Sequence, residues 1–344
     1  MKLDTVVIET TRACNLNCLH CGSNCNRQPA SDELSAGDWI GIFRQFADLG
    51  VKKVVFSGGE PFLKKDFDLM IREISGFGFK FGIISNGLKV SDRFIELLSE
   101  IKPFAVGVSI DGLAATHNLI RGNTQAWLKS LSSIVKLQAA GIPVSVVTTI
   151  SKYNFLELPA IFSLLDCLGV KAWQVQMASP MGRLSGANDQ IIDSGEFNSV
   201  CQCLRKMILE QSSGPRVFLA DCFGYGALDP AIPRNFPGCQ AGLSVLGIKS
   251  NGDVLPCLSL YFDEFIAGSL KAESLEAIWN SDRSFAFNRQ FDLDSIPPES
   301  KCYLCDKRNA CRGGCSSLSY ACYGRLHSQP FCIEHDFQQI EEDS

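Results

Sequence analysis

Cys14-Asn15-Leu16-Asn17-Cys18-Leu19-His20-Cys21 is the stretch that decides the fold and the chemistry of this chain. Its three cysteines stand on a short loop, with three residues and then two between them, after an apolar run that predicts a strand (Val6-Val7-Ile8). Three thiols so close together favour a soft metal or an iron–sulfur cluster over a disulfide framework. Three ligands would leave one iron of a 4Fe–4S cluster open to a substrate or cosubstrate.

A second motif follows about 35 residues later. Lys53-Val54-Val55-Phe56 predicts a strand that runs into the turn Ser57-Gly58-Gly59-Glu60-Pro61. Glycines let a backbone approach a ligand closely, and Glu60 can accept a charge-assisted hydrogen bond from an ammonium group. The turn therefore suits a charged small-molecule ligand at the end of a strand.

Together, the cysteine loop and this turn resemble the motifs of the radical S-adenosylmethionine (SAM) enzymes. The resemblance implies that Cys14, Cys18 and Cys21 hold a 4Fe–4S cluster and that SAM binds its open iron. It also implies that the Gly58-Gly59-Glu60 strand end receives the SAM amino group. The alternative is a structural zinc loop beside an ordinary turn.

The composition is that of a globular protein. Of 344 residues, 46% are hydrophobic and 20% are charged, and a formal net charge of −5 gives no basic footprint for nucleic acid. The sequence shows no signal-peptide pattern and no apolar run of about 20 residues that would span a membrane. We therefore expect a cytoplasmic protein with no nucleic-acid or membrane partner, whose 16 cysteines serve metal and not disulfides.

Residues 1–185 alternate strand-like and helix-like segments, which predicts an α/β fold with a parallel sheet. The predicted strands are Thr5–Ile8, Lys53–Phe56, Phe79–Ile84, Ala105–Ile110, Val144–Ile150 and Ala172–Met177. The predicted helices are Ala36–Leu49, Lys65–Gly76, Ser91–Ile101, Gln125–Ala140 and Leu156–Leu168. Six such units resemble the partial (βα)6 barrel of the radical SAM family. In barrels, chemistry lies at the C-terminal strand ends, where the cysteine loop and Glu60 both fall.

A third motif closes the fourth predicted strand, with Ser109-Ile110-Asp111-Gly112 followed by His117 and Arg121-Gly122. It resembles a Ser-x-Asp-Gly and His-x-x-x-Arg-Gly stretch of peptide-modifying members of the family. That resemblance places Ser109 and Arg121 near SAM. Arg121 would bind its carboxylate, since a guanidinium can do so through two hydrogen bonds. The alternative is that Arg121 forms a salt bridge that fixes the loop.

A second set of cysteines lies in residues 236–344, after a predicted linker and helix over residues 186–235. The set comprises Cys239, Cys257, Cys302, Cys305, Cys311, Cys315, Cys322 and Cys332. Four thiolates hold one centre, so these suffice for about two; two zinc-ribbon sites are the alternative on spacing alone. Beside a radical SAM core, their order resembles the SPASM extension, a smaller Cys-rich domain that carries two auxiliary 4Fe–4S clusters.

The resemblance also distributes these cysteines between the two clusters. It assigns Cys302, Cys305, Cys311 and Cys332 to one and Cys239, Cys257 and Cys315 to the other. The second cluster then lacks a fourth ligand, which is either Cys222 or an open site for a substrate atom. Cys322 is the alternative to Cys332. We interpret Cys167, Cys201 and Cys203 as buried apolar residues.

The activity implied by the resemblance is hydrogen abstraction by a 5′-deoxyadenosyl radical. Auxiliary clusters imply removal of a second electron, and so the oxidation or crosslinking of a peptide or protein, as in the maturation of ribosomally made peptides (RiPPs). The alternative is a radical SAM enzyme that acts on a small molecule of the aminocyclitol or tetrapyrrole type. A non-catalytic electron carrier is a third possibility, which the Gly58-Gly59-Glu60 turn disfavours because a carrier needs no SAM site.

Several partners are expected beyond the peptide or protein substrate. One is an electron donor such as flavodoxin or ferredoxin. Many peptide maturases carry an N-terminal leader-binding module, whereas this chain begins almost directly at its first strand; either a separate leader-binding protein supplies that function or the substrate is recognised in another way. In sulfatase-maturing members an aspartate that acts as general base follows the cysteine matching Cys257. Here that residue is Leu258, which argues against that reaction and leaves Asp263 and Glu264 as candidates for the base.

Overall fold

The computed structural model describes residues 1–210, 213–230, 234, 236–281 and 283–337. Within these ranges its centre is one ten-stranded sheet in the order β10-β9-β8-β1-β2-β3-β4-β5-β6-β7. The strands are β1 (Thr5–Glu9), β2 (Lys53–Ser57), β3 (Lys80–Ser85), β4 (Ala105–Ser109), β5 (Val144–Ile150), β6 (Ala172–Met177), β7 (Arg216–Leu219), β8 (Val245–Ile248), β9 (Asp253–Leu255) and β10 (Gly268–Ser269).

Helices separate the strands along the chain. Those up to β7 are α1 (Ala36–Asp48), α2 (Phe67–Gly76), α3 (Asp92–Ile101), α4 (Ala114–Arg121), α5 (Ala126–Ala139), α6 (Leu158–Cys167) and α7 (Ser194–Glu210). Shorter ones follow in the C-terminal part: α8 (Leu275–Asn280), α9 (Ala286–Arg289), α10 (Arg308–Cys311), α11 (Ser316–Tyr323) and α12 (Ile333–Asp336). No helix among the described residues is long and apolar enough to cross a membrane.

The start of α1 shows how local sequence sets these elements. Ser35 Oγ accepts a hydrogen bond from Asp38 N, and the Asp38 carboxylate accepts one from Ser35 N, which is a capping box. Apolar residues at a spacing of three and four then bury one face of the helix. On that face Phe43 meets Phe56 of β2 edge-on, with 6.1 Å between ring centroids. The helix is thereby fixed against the sheet.

The parallel arrangement brings the functional loops to one edge. β8, β1 and then β2 to β7 pair with their neighbours in parallel. Their carboxyl ends therefore point the same way. At that edge the chain leaves β1 for the cysteine loop, β2 for Gly58 and Gly59, β3 for Asn86 and β4 for Asp111.

The α/β class, the six predicted strands and the five predicted helices are confirmed, with ends that agree within one or two residues. Within residues 1–235, one of these helices and one strand were not predicted. One is α4, and the other is β7, which extends the sheet beyond β6. Residues 186–235 thus contain more than a linker and a helix. β7 gave no signal because it is a short edge strand whose residues are exposed or half-buried.

Candidate active site

Four cysteine thiols line one cavity at the carboxyl edge of the sheet. Cys14, Cys18 and Cys21 lie on the loop after β1, and Cys25, only 1% exposed, joins them. The cavity has a volume of about 140 Å³. Its other walls include Gly58, Gly59, Asn86, Ser109, Arg121 and Arg183. Four of the five predicted SAM-binding residues therefore face the same space as the three predicted cluster ligands.

Side chains beyond the loop donate hydrogen bonds to two of these thiols. Asn86 Nδ2 lies 3.8 Å from Cys14 Sγ and 2.8 Å from Asn15 Oδ1. Arg121 Nη1 lies 3.7 Å from Cys18 Sγ. Burial raises the pKa of the Cys14 thiol to about 11. A thiolate there therefore depends on such donors and on a bound metal for its stability.

Cys25 is the donor for the third thiol. Its backbone N–H lies 3.4 Å from Cys21 Sγ. A hydrogen bond from the Cys25 side chain lowers the pKa of Cys21 to about 5. The same contact, together with burial, raises the pKa of Cys25 far above its ordinary value. Hydrogen bonds from Cys25 therefore favour the thiolate form of Cys21.

The end of β2 reaches the cysteine loop because it carries two glycines. A Cβ at Gly59 would lie 2.2 Å from Ala13 O, and one at Gly58, where φ is +122°, would lie 2.6 Å from Thr11 O. Gly59 N and Glu60 N donate to these two carbonyl groups, on Thr11 and Ala13, each across 2.8 Å. Backbone thus packs directly on backbone, and the glycine pair fixes the cysteine loop in place.

Replacing Gly59 by alanine is expected to displace the cysteine loop, because the new methyl group would collide with a backbone oxygen. We expect a cost of about 1–3 kcal/mol in the free energy of unfolding, with loss of the iron bound at the loop. Gly41→Ala is the matched control, because a Cβ at Gly41 in α1 has no neighbour within 4 Å. Anaerobic urea unfolding and iron analysis measure both variants. Wild-type stability and iron content in Gly59→Ala would contradict the close packing.

Glu60 is completely buried and holds the end of β3. Its Oε1 accepts a hydrogen bond from Ser85 Oγ across 2.9 Å, and its Oε2 accepts one from Asn86 N across 2.8 Å. Burial raises the pKa of Glu60 to about 7, although these hydrogen bonds act against the shift. The described residues that line the cavity include Gly58 and Gly59 but not Glu60. Direct contact of Glu60 with the SAM amino group stays a prediction.

Arg121 forms the salt bridge that was the alternative to SAM binding. Its Nη2 lies 2.6 Å from Asp111 Oδ2, and both side chains are buried. His20 Nε2 lies 2.9 Å from the same oxygen. Although burial acts to raise it, Arg121 and His20 hold the pKa of Asp111 well below its usual range. Arg121 and Ser109 also line the cavity, so both can reach a ligand bound there. Contact of either residue with SAM stays a prediction.

Replacing Arg121 by leucine should leave the Asp111 carboxylate buried without its main partner, at a cost of about 3–5 kcal/mol. The control Arg72→Leu breaks an exposed pair with Glu100 and should cost about 1 kcal/mol or less. Since the folded-state pKa of Asp111 is depressed, its stabilising contribution is present above the unfolded pKa of about 3.9 and is lost as the pH falls towards the folded pKa. Wild type should therefore lose more stability on acidification than Arg121→Leu. Anaerobic urea unfolding at neutral and acid pH measures these free energies of unfolding. Equal losses of stability in Arg121→Leu and Arg72→Leu at neutral pH would contradict the role of the buried pair.

Four thiols of the C-terminal part form a first group. Burial raises the pKa of Cys315 well above its ordinary value, and the neighbouring thiols of Cys239, Cys222 and Cys257 raise it further. Gln329 links two of these residues, since its Oε1 accepts from Cys315 N and its Nε2 donates to Cys222 O, each across 2.7 Å. The sequence left open whether Cys222 is a ligand. In the structure it lies beside Cys239, Cys257 and Cys315, the three cysteines for which a fourth ligand was missing.

Four further thiols form a second group. Burial raises the pKa of Cys311 to about 12, and the neighbouring thiols of Cys332, Cys302 and Cys305 raise it further. Cys322 differs from them, because burial is the cause that raises its pKa to about 11. Cys332 therefore neighbours the other three, in agreement with the order of cysteines in the sequence.

These donor sets fit iron–sulfur clusters. Three thiols beside a cavity leave room for a ligand on an open iron, and each C-terminal group supplies four thiols. Within the described ranges no three His, Cys, Asp or Glu side chains are arranged to hold a single metal ion. A 4Fe–4S cluster spreads its ligands over four irons, so its thiolates need not meet at one point.

Some predicted positions lie away from the cavity. Asp263 and Glu264, the candidates for the base, are exposed and bind a lysine and a tyrosine side chain. Neither is among the described residues that line the cavity. Cys201 is buried as predicted and Cys203 is half-buried. The interpretation of Cys167 as buried was wrong, because it is the last residue of α6 and is exposed.

Sequence reasoning missed Cys25, although it stands four residues after Cys21 and the spacing was visible. The positions of Asn86 and Arg183 after predicted strands are visible in the sequence, but their contacts with the cysteine loop are not. Arg183, which follows β6, donates to Cys18 O across 3.1 Å. Such contacts depend on the order of strands in the sheet, which spacing in the sequence does not encode.

Comparison with known proteins identifies the family. The Radical SAM superfamily matches residues 8–165, and the iron–sulfur cluster-binding SPASM domain matches residues 239–306. The chain belongs to the radical SAM enzymes with a C-terminal SPASM domain. Its cofactors are accordingly SAM and 4Fe–4S clusters.

The relatives differ in what their names say they make. An AdoMet-dependent heme synthase of Oleidesulfovibrio alaskensis is 29% identical over an alignment that covers 94% of this chain and 85% of the relative. The sporulation killing factor maturation protein SkfB of Bacillus subtilis is 36% identical, over 73% of this chain and 59% of the relative. Among solved structures, Streptococcus suis SuiB bound to precursor peptide SuiA has a TM-score of 0.77 at 19% identity, covering 98% of this chain and 76% of that one. At that identity the likeness concerns the fold alone.

Proposed function

We propose that this protein abstracts a hydrogen atom from a peptide or protein substrate and then oxidises or crosslinks it, as in RiPP maturation. The observation that carries the oxidative part is the presence of two groups of four thiols beside the barrel. The peptide substrate is supported by the identity to SkfB and by the likeness in fold to a protein that binds a precursor peptide.

At the N-terminal site Cys14, Cys18 and Cys21 would hold the cluster, and the cavity beside them would hold SAM. When bound, the cluster and SAM supply the 5′-deoxyadenosyl radical that takes a hydrogen atom from the substrate. The chain itself orients the three thiolates through N–H donors. Gly58 and Gly59 bring the β2 backbone against the loop and leave their own part of the cavity wall free of side chains.

Five residues would bind SAM from the strand ends. They are Gly58, Gly59, Glu60, Ser109 and Arg121. The glycine backbone and Ser109 line the cavity directly. Arg121 would keep Asp111 as its buried partner while a second N–H faces the cavity, and Glu60 would hold β3 in register with this site.

In the C-terminal part Cys222, Cys239, Cys257 and Cys315 would hold one auxiliary cluster. Cys302, Cys305, Cys311 and Cys332 would hold the other. Loss of a hydrogen atom leaves the substrate a radical, and oxidation then requires it to lose one electron and one proton. The two thiol groups provide places for electron acceptors in the same chain. Asp263 and Glu264, the candidates for the base, both lie on the surface.

The proposed units are the barrel over residues 1–185, a connecting segment over 186–235 and the auxiliary-cluster domain over 236–344. Their partners would be flavodoxin or ferredoxin as electron donor and a separate leader-binding protein. The need for a donor follows from the reductive cleavage of SAM. The leader-binding protein would present the peptide to the cavity.

A second candidate is oxidation of a tetrapyrrole side chain. The specific observation in its favour is that an alignment with a heme synthase covers 94% of this chain. The same cavity and thiol groups would serve either reaction. The substrate, and not the radical chemistry, separates the two candidates.

One experiment separates these substrates. Anaerobically reconstituted protein receives SAM, a reductant and either pooled linear peptides that sample every residue type or an iron porphyrin with propionate side chains. We expect peptide-dependent 5′-deoxyadenosine and a peptide that has lost two hydrogens, with neither in Cys14→Ala. Porphyrin-dependent turnover without peptide-dependent turnover would overturn the peptide proposal in favour of the tetrapyrrole one.

A further inference from the structure

A loop after β7 touches both C-terminal thiol groups. Cys222, on this loop, belongs to the first group. Two residues later Gly224 approaches the second group so closely that a Cβ there would lie 3.0 Å from Cys332 Sγ. Cys332 Sγ also lies 3.5 Å from Tyr225 O. Residues 220–226, called the bridging loop here, therefore connect one thiol of each group.

Arg234 holds the bridging loop from one side. Its Nη2 donates to Ala220 O across 2.7 Å, and its Nη1 donates to Gly224 O. These two carbonyl groups flank Cys222. The guanidinium also lies over the ring of Phe236, 5.1 Å from the centroid. Arg234 thus has a fixed position beside the loop and is not a freely solvated side chain.

The charge of Arg234 acts on both groups. Burial lowers the pKa of Arg234, and the nearby Asp221, Cys222, Cys332 and Cys311 act to raise it. Its neighbours therefore include a thiol of the first group and two of the second. A guanidinium keeps its positive charge at every pH at which the protein is folded.

A fixed positive charge favours the reduced form of a cluster, because reduction adds a negative charge nearby. We propose that Arg234 is a positioning residue that raises the reduction potentials of both auxiliary clusters together. Asp221, which also lies near Arg234, opposes this effect at the first group, since it lies near Cys222 and Cys257. The inference rests on the proposed function, because it requires that the two thiol groups hold clusters.

The test is an EPR-monitored redox titration of the anaerobically reconstituted full chain. The reduced-to-oxidised ratio of each auxiliary cluster is read at its wild-type midpoint potential. In Arg234→Gln we expect this ratio to fall at least tenfold for both clusters. For a one-electron couple a tenfold fall corresponds to a midpoint potential that is lower by about 59 mV. Arg234→Lys keeps the positive charge, so in this variant the reduced-to-oxidised ratio of both auxiliary clusters should fall by much less. Arg72→Gln, which removes a surface guanidinium paired with Glu100, should change neither potential, and the cluster at Cys14 should keep its potential in every variant.

The opposite-sign variant keeps the inference testable if Arg234→Gln fails to retain iron. Asp221→Asn removes the opposing charge and should raise the potential of the first auxiliary cluster. Unchanged potentials in Arg234→Gln, with all iron retained, would overturn the role of Arg234 and leave the proposed function intact. If Arg234→Gln loses iron, an unchanged potential of the first auxiliary cluster in Asp221→Asn would overturn the premise that fixed charges at the bridging loop set that potential. A wild-type protein without auxiliary-cluster signals would instead overturn the proposed function itself, and the inference with it.

Discussion

Alanine at Cys14, Cys18 and Cys21 together is expected to abolish 5′-deoxyadenosine formation and to remove about 4 of about 12 irons per chain. The three thiols line the cavity proposed to bind SAM, and its described lining includes no cysteine of either C-terminal group. Their loss should therefore remove one cluster and leave the signals of the other two. Iron and sulfide analysis after anaerobic reconstitution measures the first effect, and chromatographic detection of 5′-deoxyadenosine measures the second.

Cys167→Ala is the matched control for this variant, because Cys167 is an exposed thiol at the end of α6. It should keep all iron and all SAM cleavage. Full SAM cleavage by the triple variant would contradict the assignment of the N-terminal cluster. A wild-type content of about 4 irons together with zinc would make the C-terminal cysteines structural, since sites built from four thiolates also bind zinc. The small-molecule candidate would then gain support.

Cys222→Ala is expected to remove the irons of the first auxiliary group, about 4 per chain, while SAM cleavage at the N-terminal site persists. The reason is geometric, because Cys222 lies beside Cys315 and is joined to it through Gln329. Substrate oxidation should fall with the lost electron acceptor. Iron analysis, EPR of the reduced protein and product mass measure these three effects separately.

Cys322→Ala is the control for Cys222→Ala, because burial alone raises the pKa of that thiol and no group includes it. It should retain all of the iron. The assignment of Cys222 would be contradicted if Cys222→Ala kept every iron, and the assignment of Cys332 if Cys322→Ala lost a cluster. The pair thus resolves both choices that the order of cysteines left open.

Much of the fold was predictable because its signals are local. Each of the first six strands is a short apolar run, and each of the five predicted helices repeats apolar residues at three and four. Where that periodicity is missing, prediction failed. β7 is a short edge strand with no buried residue, and its place beside β6 depends on the sheet that receives it.

The candidate site divides in the same way. Cys14, Cys18 and Cys21 are held together by the chain itself, so their spacing was enough to predict a shared metal centre. Gly58 and Gly59 were identified as a close approach, but that they pack on Thr11 and Ala13 is a tertiary contact. Arg121 was left with two possible roles, and only the folded chain places Asp111 beside it.

The sequence by itself determined the family, the cofactors and the two sets of cysteines, because these depend on short motifs whose residue types and spacing are read directly along the chain. Only the tertiary structure places Cys222 near Cys315, and Cys332 rather than Cys322 near Cys311. It also places Arg234 near thiols of both groups. The physical reason is that contacts between distant residues depend on the order and register of strands and on the loops that leave them, which no local spacing specifies.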